Sequence, residues 1–164
     1  MKTILILLFS FLFIHCNNDD DTPVNPIDQL PPPTQTGENT FGCLVNGEPL
    51  SITNSYRITA IYQQGQLQFG GGAVYILIND PFEINIPYEL INIDEGTMVR
   101  FIEANDGLAM CYYDFEDTYE GYVKFTNIDR ENYIISGNFE FSTAKENCDS
   151  LIVTNGRFDM HYIP

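Results

Sequence analysis

Tyr133-Ile134-Ile135-Ser136-Gly137-Asn138-Phe139-Glu140-Phe141-Ser142 is the stretch that decides the fold class. Successive side chains of an extended chain point to opposite faces. Tyr133, Ile135, Phe139 and Phe141 therefore share one face, and Asn138, Glu140 and Ser142 share the other. That is the pattern of a strand with one buried side. The run after it repeats the device: Phe158, Met160 and Tyr162 point one way, and Arg157, Asp159 and His161 the other. Working back, Leu151–Thr154, Gly121–Thr126, Leu108–Phe115, Thr97–Ala104, Phe82–Ile86, Val74–Ile78, Leu67–Phe69, Tyr56–Tyr62 and Thr40–Val45 are short apolar or alternating runs. Turn residues separate them, and Asn46-Gly47 is a strong hairpin signal. No segment keeps a helical period. The spacing predicts an all-β domain of about eight to ten strands with a turn about every 8 to 12 residues. The expected architecture is an antiparallel meander closing as a small barrel or as a two-layer sandwich. The triple glycine at 70–72 is expected to mark a bulge or sharp bend.

The N-terminus carries different information. Lys2 precedes an apolar run, Ile4–Ile14, that is 11 residues long. A membrane-spanning helix needs about 20 such residues, so the run fits the apolar region of a secretory signal. Cys16 follows directly, and then comes Asn17-Asn18-Asp19-Asp20-Asp21. This layout resembles a lipoprotein precursor, with residues 1–15 as signal peptide and Cys16 as the lipidated residue. His15 stands where that pattern usually has a small residue. The acidic run resembles the export signal of Bacteroidota-type outer-membrane lipoproteins, which implies a cell-surface location. Residues 17–39 hold five of the nine prolines, five acidic residues and no Lys or Arg. Together with Cys16 they read as a semi-extended tether, residues 16–39, reaching up to about 70 Å from the membrane. The folded domain is then expected over 40–164.

Composition bounds the partners. The chain has 7 Lys+Arg against 23 Asp+Glu and a formal net charge of −16. Such a surface repels phosphate backbones, which argues against nucleic acid. The other three of the four cysteines are Cys43, Cys111 and Cys148. An odd set allows at most one bridge in an oxidising compartment. Cys148 sits in a polar turn, where it is either the spare thiol or a pin to a neighbouring strand.

Three pieces, 36–47, 135–141 and 154–159, together resemble a family of small flavobacterial lipoproteins classed as a domain of unknown function. The resemblance covers about residues 36–162. It implies a β-rich lipoprotein domain and no assigned chemistry.

Catalytic motifs are weak. Past the signal, His161 is the one histidine, and it shares its face with Arg157 and Asp159, which reads as a solvated charge row rather than a base in a triad. No nucleophile elbow or zinc-protease motif occurs. The densest acidic set is Asp114, Glu116, Asp117 and Glu120. It offers carboxylates for a hydrolase or hard oxygen ligands for Ca²⁺, against a plainer reading as a solvent-facing loop. Glu103 with Asn105-Asp106 is a second calcium candidate. Tyr112, Tyr113, Tyr119 and Tyr122 lie beside the acidic set and offer rings for a sugar or peptide, with one of Tyr112 and Tyr113 expected to face the core. The sequence thus points first to a membrane-anchored, non-enzymatic binding or structural module, with a glycan, a peptide or an envelope protein as partner and no required cofactor. A carboxylate-dependent hydrolase of extracellular polymers and a barrel carrying a small apolar ligand are the alternatives.

Overall fold

The computed structural model describes residues 25–91, 96–105 and 108–164, with the backbone alone described at 103–105 and 108–110. The signal segment, Cys16 and Asp106 lie outside the described residues. The described residues form eleven strands: β1 Thr40–Val45, β2 Glu48–Ile52, β3 Ile58–Gln63, β4 Gln66–Gly71, β5 Val74–Asn79, β6 Pro87–Glu89, β7 Met98–Asn105, β8 Leu108–Tyr113, β9 Thr118–Asp129, β10 Ile134–Thr143 and β11 Leu151–His161. They form two antiparallel sheets. One has six strands in the order β2-β1-β11-β10-β9-β6, and the other has five in the order β3-β4-β5-β7-β8. No closed barrel forms among the described strands. The chain is also not one continuous meander, because it changes sheets after β2, on either side of β6, and after β8.

The alternation read from sequence explains the core. Ile135, Phe139 and Phe141 from β10 and Phe158 and Met160 from β11 are buried, each at most 3% exposed. They meet the other sheet through Phe69 on β4, whose ring lies 4.7 Å from Phe158 and 5.9 Å from Phe125. Each such aromatic pair adds about 0.5–1.5 kcal/mol beyond its area burial. The two layers approach closely at Gly71. A Cβ there would come within 2.8 Å of the Phe41 ring, so the glycine makes room for that ring. The triple glycine ends β4 and begins the tight turn into β5 rather than forming a bulge.

A bulge does sit in β11. Leu151 and Val153 face the core, and so do Phe158 and Met160, although the first pair is odd-numbered and the second even-numbered. A regular strand would turn one pair outward. Asn155, with φ 53°, takes up the extra residue, and the register shifts between Phe139 and Phe141 on the partner strand. Two runs separate in the sequence are therefore one strand.

The expected strand Phe82–Ile86 does not form, and the strand there is Pro87–Glu89 instead. Phe82 alone enters the core, while Ile84 and Ile86 are 44% and 46% exposed. Alternation without a sheet to cover it did not make a strand.

The expected tether, residues 16–39, is described from residue 25 onward. Residues 25–39 are packed on the outer face of the six-stranded sheet. A short 3-10 turn, Pro26–Gln29, leads into buried Leu30 and Pro31. Pro31 sits over Gly42, where a Cβ would come within 2.6 Å of its ring. Asn127 Nδ2 donates to Gln35 O, and an Arg157 guanidinium N–H donates to Pro31 O. The folded body thus begins near residue 25, with this strap as part of it.

The strap's latch is Asp159, only 1% exposed. Its Oδ1 accepts from Gly37 N at 2.8 Å and Ser136 Oγ at 2.8 Å. Its Oδ2 accepts from Thr34 Oγ1 at 2.6 Å and from the amides of Thr36 and Glu38, each at 3.1 Å. Burial alone would raise this carboxyl's pKa, but the donors from Thr34, Glu38, Ser136 and Gly37 more than offset it and hold it below the ordinary value. The expected solvated row Arg157-Asp159-His161 is corrected accordingly: Asp159 is the covered centre of the strap contact.

Candidate functional site

The acidic set foreseen at 114–120 is structural in large part. Asp114 caps the 3-10 turn Phe115–Asp117 in a reciprocal capping box. Its Oδ1 accepts from Phe115 N at 2.9 Å, and Asp117 Oδ2 accepts from Asp114 N at 2.8 Å. Arg100 Nε reaches Asp114 Oδ1 at 2.7 Å, and Lys145 Nζ reaches Asp117 Oδ2 at 3.0 Å. Burial would raise the Asp114 carboxyl, yet the Phe115 amide and the Arg100 guanidinium hold it below its ordinary value. Glu116 is exposed. Glu120 points away from this group and accepts from Ser142 Oγ at 2.8 Å. Among the described residues no three His, Cys, Asp or Glu side chains converge to hold a metal ion.

The four tyrosines do not form one patch. Tyr113 is 1% exposed and donates its hydroxyl to Asp149 O at 2.6 Å. Tyr112 faces outward, 41% exposed, as strand alternation required. Tyr119 is exposed at the start of β9. Tyr122 lies on the outer face of the six-stranded sheet. The bridge is Cys111–Cys148, and Cys43 is a buried free thiol. Cys148 therefore pins its turn to β8 and is not the spare. Burial pushes the Cys43 thiol up to about 12.

What the structure does assemble is a groove across β6, β9, β10 and β11. Outward side chains form rungs there. Glu89 is opposite Tyr122, and Tyr122 is opposite Glu140. In the next rung Glu120 is opposite Ser142, and Ser142 is opposite Ile152. These residues line a cavity of about 560 Å³ together with Pro87 and Thr154. Glu140 Oε1 accepts from Asn155 N at 3.2 Å. Burial first, and then the Glu140 charge, raise the Tyr122 phenol above its ordinary value, so its hydroxyl stays a donor.

A smaller hollow of about 230 Å³ shares Tyr122 and Glu140 with the groove and is walled by Asn138, Arg157 and Pro33 of the strap. Asn138 Oδ1 is buried there with no hydrogen-bond partner, and a buried acceptor left unmet costs about 1–3 kcal/mol. The strap thus covers one end of the sheet's outer face and leaves the other end open.

Sequence reasoning found Tyr122 and Glu120 but missed Glu89, Asn138, Glu140, Ser142 and Ile152 as members of one site. The polar alternation Asn138-Glu140-Ser142 was the available signal for three of them. Glu89 had none, because its strand was placed elsewhere. Comparison with known families, curated proteins and solved structures returned no match to this chain.

Proposed function

We propose that this protein is a non-enzymatic binding module of the cell envelope, lipid-anchored through Cys16 at the outer membrane and facing the cell surface. It holds a partner in the groove on its six-stranded sheet. The observation that carries this reading is the groove itself: an open, half-apolar trough with a tyrosine at its centre and three carboxylates around it. A few convergent polar groups on an apolar floor are the common form of a recognition site. Two features weigh against the alternatives. Of the four carboxylates offered for a hydrolase, Asp114, Glu116, Asp117 and Glu120, the two aspartates are tied in caps and ion pairs. The groove lies on the outer face of a sheet rather than between the layers, where an apolar cargo would sit.

The strap changes the anchoring geometry. With the body starting near residue 25, the chain from Cys16 spans at most about 30 Å, well under the 70 Å expected of a free tether. The module is held close to its membrane.

Two variants test the reading. A photo-reactive phenylalanine analogue replaces Tyr122 in one and Gln68, on β4 of the other sheet, in the second. Irradiated native envelopes should give a discrete adduct at 122 and none at 68. The same pattern at both positions, or no adduct at 122, would refute the groove as the binding site. Separately, Cys16→Ala should leave the membrane fraction, and its retention there would refute the anchor.

A further inference from the structure

We infer that the occupant of the groove is a basic peptide segment whose Lys or Arg sits among Glu89, Glu120 and Glu140. This deepens the binding-module reading and rests on it. Charge complementarity carries it. Three glutamates line the groove and no Lys or Arg does. The ion pairs among the described residues join Arg100 to Asp114, Arg130 to Asp80 and Lys145 to Asp117, leaving these three glutamates without a cationic partner. Three carboxylates on one open face, with no cation in the lining, attract a positive charge placed among them.

The rest of the lining suits the same side chains. Lys and Arg bury their methylene stems against apolar surface while the charged head stays polar. Pro87, Ile152 and the Tyr122 ring provide such a surface, and Ile152 is 50% exposed. A cation over the Tyr122 face is attracted by the ring as well. Four strands about 4.8 Å apart make a trough about 15 Å across, enough for four or five extended residues. Asn17 to Asp21 of the chain's own tether is acidic and would be repelled, so that segment is not the occupant. A neutral glycan would use Tyr122 but gives no reason for three carboxylates outside every ion pair.

The test uses the full chain in detergent and a fluorescein-labelled peptide of glycine alternating with lysine and arginine, followed by anisotropy at about 20 mM salt, where screening is weak. Two double variants carry the same charge change. Glu120→Gln with Glu140→Gln acts in the groove, while Glu116→Gln with Glu131→Gln acts elsewhere on the surface. Urea midpoints confirm that both fold. The groove pair should weaken the peptide about tenfold or more, and the distant pair should leave it unchanged. Equal weakening by both pairs would mean attraction to bulk charge and would overturn the proposal, as would no binding at all. Binding of a neutral chitin oligosaccharide instead of the peptide would overturn the ligand class. The photo-adduct at 122 would in that case still stand, which separates failure of this inference from failure of the binding-module reading.

Discussion

Replacing Asp159 by asparagine isolates the strap latch. The carboxylate has two acceptor oxygens, one serving Gly37 N and Ser136 Oγ, the other serving Thr34 Oγ1 and the amides of Thr36 and Glu38. A carboxamide keeps one acceptor and turns its NH₂ toward the remaining donors. The Thr34 hydroxyl can rotate to accept, so the loss is two backbone hydrogen bonds to a charged group and the charge itself. Bonds to charged groups contribute about 1.5–3 kcal/mol each. Thr36 and Glu38 are exposed, so water recovers part of this, and the expected cost is about 3 kcal/mol. For a body of this size that lowers the melting temperature by about 10 °C. The pH dependence has a definite sign. The folded pKa is depressed, so the latch contributes fully above the unfolded value of about 3.9 and is lost as the pH falls through the lower folded value. Thermal melts of both proteins at neutral pH and near pH 3 check it. The difference should be large at neutral pH and shrink on acidification. A melting temperature within about 2 °C of the parent at neutral pH, or a gap that widens in acid, would refute the reasoning.

Three further outcomes follow from the packing. Reducing Cys111–Cys148, which spans 37 residues, should remove about 3–4 kcal/mol of loop entropy; a scan unchanged by reductant would contradict this. The buried Cys43 thiol, pushed up to about 12, should resist a maleimide at mildly alkaline pH until denaturant is added, and rapid labelling of the native chain would count against its burial. Gly71→Ala should cost about 1–3 kcal/mol by overpacking, because the new methyl falls 2.8 Å from the Phe41 ring; a neutral urea midpoint would show that the two layers have slack there.

The strands were legible where alternation and cover coincide. Phe139 and Phe141 pointed inward from sequence alone, as did Phe158 and Met160, because a sheet lies over each. Phe82–Ile86 shows the same period and fails, since periodicity states which side chains share a face and not whether anything buries it. The strap was illegible for a related reason. Its prolines and acids read as unfoldable chain, and its stability comes from a carboxylate more than 120 residues away. Asp159 looked like one polar residue in a solvated row, and no local signal distinguishes an aspartate that faces water from one that gathers five donors. The site was half legible. The polar face Asn138-Glu140-Ser142 was visible, but its junction with Glu89, Glu120 and Ile152 depends on strand order, which one sequence does not state.

The groove as the working surface is tested most directly by carboxyl footprinting of the protein in its native envelope and after purification. Carbodiimide labelling of Glu89, Glu120 and Glu140 should fall in the envelope, where the partner covers them, while exposed Glu48, Glu116 and Glu131 label equally in both. Equal labelling of all six in both preparations would contradict the account.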